Sequence, residues 1–149
     1  SPMSRMIREN LAEPKKGILF FGDPHVDDDG TDIDALERHT QLVSDTDGLF
    51  AVNVGDTTNN WVGRLAKLYG EQSTSAAQAW RLAEWFVGRC NWLWILGGNH
   101  DLWSGAGDPM RWIAKQQDAL YKSSEARIAL RFPSSFWSKR LVCTMAEWR

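Results

Sequence analysis

Three short apolar runs, each closed by a glycine and a cluster of polar residues, constrain this chain more than any other feature. They are Gly17–Gly22 (GILFFG), Leu49–Val54 (LFAVNV) and Asn91–Leu96 (NWLWIL). Runs this short, apolar on both faces and bounded by turn residues, read as buried strands. The intervals between them carry helical spacing. Thr31-x-x-Asp34 reads as a capping box ahead of Ile33, Leu36, Thr40 and Val43. Asn59 or Asn60 is expected to cap a helix carrying Trp61, Leu65 and Leu68 and stopped by Gly70. Ser73 or Thr74 opens a further helix with Ala76, Trp80, Ala83 and Val87 on one face, ending near Gly88. Asp108-Pro109 supplies an N-cap and an N1 proline to a helix carrying Trp112, Ile113 and Leu120. Ala126–Phe132 alternates and reads as a fourth strand, while residues 133–149 show no clear period and stay unassigned. Strands buried on both faces and separated by helices predict an α/β class, with a largely parallel or mixed sheet covered on both sides. The 149 residues suit one domain over 1–149.

The formal net charge of -2 conceals an uneven distribution. Residues 17–60 hold ten acidic residues and one basic residue, whereas residues 111–149 hold eight basic and three acidic ones. Six of the acidic residues are Asp between Asp23 and Asp34. Such a run is either a solvated face or a place where cations offset the repulsion. An EF-hand does not account for it. With Gly30 at the sixth position, His25 and Leu36 stand where carboxylates are required. The segment before Gly17 lacks the apolar core of a secretory signal, and no apolar run approaches the ~20 residues of a membrane helix. Cys90 and Cys143 make no disulfide framework, so a cytoplasmic setting without membrane attachment is the expectation.

The chemistry sits where the strands end. The first run leads into Gly22-Asp23-Pro24-His25, the second into Gly55-Asp56-Thr57-Thr58-Asn59, and the third into Gly98-Asn99-His100-Asp101. Ligands of open α/β sheets bind beyond the carboxyl ends of the strands, so these loops should converge. They would deliver carboxylate, imidazole and amide oxygen, donors suited to divalent Mn, Fe, Zn or Mg.

These three motifs, D-x-H (Asp23, His25), G-D-x-x-N (Gly55, Asp56, Asn59) and G-N-H-D (Gly98 to Asp101), stand in an order and spacing that resembles the calcineurin-like metallophosphoesterase superfamily. The resemblance runs from about Ile18 to Asp101. It implies that family's layered fold and two divalent ions, manganese above all. Asp56 would bridge them, with Asp23 and His25 on the first and Asn99 on the second. His100 would contact the phosphate or protonate the leaving group, with Asp101 as its orienting partner. Two cations roughly 3.5–4 Å apart would polarise a phosphoryl oxygen and generate a hydroxide that attacks phosphorus in line. The implied activity is hydrolysis of a phosphate mono- or diester, whether small molecule, nucleotide or nucleic acid. It would also account for the acidic run, since bound cations offset its charge.

The chain departs from the family pattern twice. Asn59 and Asn60 stand where some members carry Asp-Arg, which moves the reading away from the protein serine/threonine phosphatases and leaves these amides as substrate-binding candidates. No histidine follows His100, whereas the family supplies further ligands downstream, a lone His and then Gly-His-x-His. The ligand count therefore predicts an incomplete sandwich: the N-terminal portion of a longer enzyme, or a product whose frame changes near Phe132. The alternative function is a catalytically incomplete remnant that binds metal or serves as an interaction module. A plain nucleic-acid-binding domain would stack bases on some of the nine Trp and bind in a salt-sensitive manner without metal.

Most of the Trp have a plainer place. Trp92 and Trp94 are expected on one strand face with Leu93 and Ile95 on the other, and Trp80, Trp85 and Trp112 on helix faces. Trp61 and Trp103 follow site loops closely and are expected to line the substrate entrance. His39 falls within a helix and reads as a surface residue.

Overall fold

The first apolar run forms β1 (Gly17–Phe21), the second β2 (Leu49–Asn53) and the third β3 (Trp92–Gly97). A fourth strand, β4 (Leu120–Ser123), completes a sheet of order β1-β2-β3-β4 in which every neighbouring pair is parallel. The computed structural model describes residues 16–105, 107–131 and 138–144. The helices are α1 (Ile33–Asp45), α2 (Ala76–Gly88) and α3 (Pro109–Gln116). Right-handed crossovers between strands laid down in one direction put every connecting helix on one face. Accordingly Val43 of α1, Ala83, Phe86 and Val87 of α2, and Met110, Ile113 and Ala114 of α3 pack with Phe21, Ala51, Trp92, Ile95 and Tyr121 in a single core.

The opposite face has a different cover. β5 (Glu125–Arg131) and β6 (Ser138–Thr144) form an antiparallel hairpin. Ala126, Ile128 and Leu130 of β5 pack on Val52, Leu93, Trp94 and Leu96. Ser124 alone joins β4 to β5, in a left-handed conformation (φ 65°), with its N–H donating to Gly97 O. The chain is therefore α/β, layered as helices, parallel sheet and hairpin. The strand expected over 126–132 exists, but it belongs to this hairpin. Ser138–Thr144 falls within the tail left unassigned by sequence, and residues 132–137 lie outside the described part.

Several local expectations need correction. The cap of α1 is Asp32, whose carboxylate accepts the Ala35 N–H at 2.8 Å, while the Thr31 hydroxyl donates to His25 O at 2.7 Å. The cap of α2 is Ser75, reciprocated by Gln78 in a capping box. Asn59 and Asn60 cap nothing. A 3-10 segment spans Gly63–Glu71 without a side-chain cap, and Gly70 lies inside it. Helix α3 ends at Gln116, so Leu120 opens β4, and Trp112 is exposed. Asp108 does cap α3, accepting the Arg111 N–H.

Trp92 and Trp94 also lie on opposite faces. Ala51 pairs with Trp92 and Val52 with Trp94, so Leu93 is an extra residue in β3. A bulge of one residue reverses the side-chain alternation beyond it. Trp92 thus joins the helix-side core, and Leu93 and Trp94 the hairpin-side core.

Cys90, next after Arg89 beyond α2, is partly covered, and burial pushes its thiol up to about 12, against the opposing pull of Arg89. At pH 8 an ordinary thiol near 8.5 reacts largely through its thiolate. Iodoacetamide is therefore expected to modify Cys90 roughly 10³-fold more slowly in the native protein than in denaturant, by the difference in thiolate fraction. Peptide-resolved mass spectrometry measures this, and equal rates in the two states would refute it.

Candidate metal centre

The loops after β1, β2 and β3 meet at the carboxyl edge of the sheet. His25 N–H donates to Asp56 O at 3.0 Å and Val26 N–H to Thr57 O at 2.8 Å, joining the first loop to the second. The Asp101 carboxylate joins the second to the third, its Oδ2 accepting N–H groups from Asp56 at 2.9 Å and Gly98 at 2.8 Å. His100 N–H closes the arrangement on Asp56 Oδ1 at 2.9 Å. Asp23, His25, Asp56 and Asn60 all adopt left-handed backbone conformations, with φ between 38° and 52°. Such conformations in non-glycine residues concentrate at functional sites. Glycine is required where the loops touch. Gly55 has φ +103°, and a Cβ there would stand 2.6 Å from Gly98 N.

Five side-chain oxygens of these loops are buried without a hydrogen-bond partner: Asp23 Oδ1 in the first, Asp56 Oδ2 and Thr58 Oγ1 in the second, and Asn99 Oδ1 and Asp101 Oδ1 in the third. Buried oxygens left unpaired are costly, and a cation is what such atoms accept. The ligand atoms of His25, Asp56 and His100 also lie within 4.8 Å of one another. These donors fit the divalent ions expected for Asp23, His25, Asp56 and Asn99. Burial raises the pKa of the Asp56 carboxyl, and the His100 N–H acts in the opposite direction.

Both imidazoles are aimed by Asn59. His25 Nδ1–H donates to the Asn59 side-chain oxygen at 2.8 Å, and His100 Nδ1–H to the Asn59 backbone carbonyl at 2.6 Å. Both Nε2 atoms are left facing the site. Asn59 is itself held on every side. Its N–H donates to buried Asp27 at 2.8 Å, and its amide nitrogen donates to Asp28 at 3.1 Å and Gln72 at 3.0 Å. Asn60 donates to His100 O at 2.7 Å and Ser104 Oγ at 2.9 Å. Both amide nitrogens are thus engaged by the protein's own groups. Asp101 departs from expectation, since its carboxylate bonds to the two loop N–H groups and not to the His100 ring. Its pKa is pushed up to about 7, chiefly by burial, with nearby Asp56 adding to the rise.

The acidic run has a structural account. Asp27 accepts from Asn59 and Gln72, Asp28 from Gly30 and Asn59, Asp29 from Ser73, and Asp32 caps α1. Of the six, only Asp23 directs an unpaired oxygen into the site, so the run as a whole is not a cation cluster. Trp61 and Trp103 flank His100, with ring centroids 5.4 and 4.0 Å from the imidazole. His39 is exposed on α1.

Sequence reading missed Asn59 as an orienting residue and missed Gln72 altogether. Gln72 accepts from the Trp61 indole at 2.9 Å and from Asn59, and donates to Asp27 at 3.1 Å. Its neighbours in sequence, Gly70-Glu71 before it and Ser73-Thr74 after it, carry no signal that sets it apart. Groups that orient metal-binding imidazoles typically contribute 10- to 100-fold to metal affinity. Asn59→Ala is therefore expected to weaken manganese binding by roughly 10- to 100-fold in a chelator competition, and affinity equal to the parent's would refute the orienting role.

Among the described residues no helix is long and apolar enough to cross a membrane. Compared with family models, curated proteins and solved structures, the chain gives no match.

Proposed function

We propose that this protein is a metal-dependent phosphoesterase of calcineurin-like fold, hydrolysing phosphate mono- or diesters. The observation that carries the reading is the set of buried unpaired oxygens on Asp23, Asp56 and Asn99, drawn from all three loops, beside two imidazoles whose Nδ1 atoms are engaged by Asn59. Asp23, His25, Asp56 and Asn99 would hold two divalent ions. Bound there, such ions supply Lewis-acid polarisation of the phosphoryl group and a nucleophile at neutral pH. His100 is the proton donor in this reading. Its Nδ1–H stays on Asn59 O while Nε2 passes a proton to the leaving oxygen, so a neutral, still-anchored imidazole results. Asp101 acts as a positioning residue by clamping two loops together.

A second reading is a remnant holding one cation in the His25, Asp56 and His100 group without turnover. The closeness of those three ligand atoms, all within 4.8 Å of one another, favours it. Metal analysis together with turnover of p-nitrophenyl phosphate and its bis-ester separates the two. The phosphoesterase reading expects two manganese ions per chain, loss of activity in EDTA and recovery on adding metal. At most one ion per chain and no turnover of either ester would overturn it.

A further inference from the structure

The side chains beside His100 point to the class of ester this site would take, an inference that rests on the phosphoesterase reading. If His100 protonates the leaving oxygen, whatever stands beside it stands beside the leaving group. Two indoles stand there. Trp103 leans against the imidazole, centroid 4.0 Å away and tilted 34° from parallel. Trp61 lies 5.4 Å from the imidazole and 6.3 Å from Trp103, tilted 31° to that indole. Trp61 meets the imidazole edge-on, at 63°, so the three rings form one tilted aromatic wall, whereas a cage for a quaternary ammonium encloses its ligand with rings on several sides.

The wall is built before any ligand arrives. The Trp61 indole N–H is tied to Gln72 Oε1 at 2.9 Å, and its backbone N–H reaches Tyr69 OH at 3.2 Å. Trp103 stands two residues after the G-N-H-D motif and is 36% exposed, and the intervening Leu102 is 42% exposed. A large indole left open at the mouth of a polar site offers a π-face to a planar group. We propose that the leaving group is a planar ring system of the nucleoside kind, stacked on the Trp61–Trp103 wall. A mononucleotide fits better than a long polyanion, because Asp28 and Asp29 are exposed on the loop bonded to Asn59 and Ser73.

Adenosine 5′-phosphate and ribose 5-phosphate share the same leaving alkoxide and differ only in the base. Each is compared as the free monoester and as its methyl diester. Base stacking on aromatic side chains predicts a kcat/KM ratio of roughly 10 to 100 in favour of the adenosine ester. Trp103→Leu is expected to bring that ratio close to one, and Trp103→Phe, which keeps a π-face, to retain much of it. Trp61→Phe, which loses the tie to Gln72, is expected to fall between. Trp112→Ala, remote on α3, should leave the ratio unchanged. Indole N–H resonances of Trp61 and Trp103 in zinc-loaded protein supply a second readout. They should shift with the adenosine ester and not with the ribose ester.

A ratio near one in the parent, or one that survives Trp103→Leu, would overturn the proposal. So would competition by a single-stranded oligonucleotide more effective than the mononucleotide. Turnover of neither ester with the indole shifts intact would remove the phosphoesterase reading and leave the stacking wall. Equal turnover of both esters with unmoved resonances would do the reverse.

Discussion

Asp56→Asn is expected to lower metal-dependent phosphoester hydrolysis by roughly 10³-fold or more, about 4 kcal/mol of transition-state stabilisation. The chain without cations should stay folded and at least as stable as the parent. Asp56 Oδ1 accepts the His100 N–H at 2.9 Å, a bond that an asparagine carbonyl can keep. Oδ2 is the atom buried without a partner, 4.0 Å from His25 Nε2. An amide there turns a donor toward the cations in place of a lone pair. The stability sign follows from the raised pKa, caused mainly by burial. A carboxyl whose pKa is raised on folding costs stability at pH above its unfolded value, so at neutral pH this group works against folding. Asparagine removes that charge. Thermal unfolding with and without manganese tests both halves. The parent should gain stability from a ligand that binds only the folded state, about 2.7 kcal/mol at a hundredfold excess over Kd, and the variant should gain little. A variant with parental turnover, or with the full manganese effect, would eliminate Asp56 as the central ligand.

Gly55→Ala should be among the most damaging single methyls in the molecule, since it combines a backbone clash with a positive φ. A Cβ at this position would stand 2.6 Å from Gly98 N and 2.7 Å from Gly98 Cα, both backbone atoms that cannot rotate aside. The φ of +103° adds a conformational penalty. Backbone strain of ~1–3 kcal/mol and overpacking of ~1–3 kcal/mol suggest a loss of about 3 kcal/mol or more. For a chain of this size that lowers Tm by very roughly 6–12 °C. Gly70→Ala is the control, since a Cβ there meets nothing within 4 Å. It should be close to neutral or slightly stabilising. Equal Tm values for the two variants would show that the contact between the second and third loops is soft.

What could be read from the sequence was local. The apolar runs gave strands, and Asp108-Pro109 gave a helix start, because these signals lie within a few residues of the elements they define. The order of the three polar loops also sufficed to bring Asp23, His25, Asp56, Asn99 and His100 together, since parallel strands deliver their loops to one edge. What failed depended on distant partners. Asn59 looked like a helix cap, but its partners include His25 and His100, 34 and 41 positions away. The six Asp looked like one electrostatic unit, yet most of them bond separate N–H donors. Leu120–Ser123 was too short to stand out from the helix before it. The extra residue in β3 leaves no mark in a run that is apolar throughout.

That extra residue has a consequence for how the chain tolerates change in length. Leu93 sets the phase of everything after it in β3, so Ile95 faces the helices and Leu96 the hairpin. Deleting Leu93 would restore simple alternation and leave Trp94, Ile95 and Leu96 on the sides they now occupy, with one side chain lost from the hairpin-side core. Deleting Ile95 instead would send Leu96 to the helix side and shorten the approach to Gly98, where the third loop meets the second. Substitutions among Val, Ile and Leu along β3 should be absorbed by repacking, whereas an in-frame loss or gain of one codon beyond Trp94 should not. The strand is permissive in composition and at its bulge, and strict in count after it.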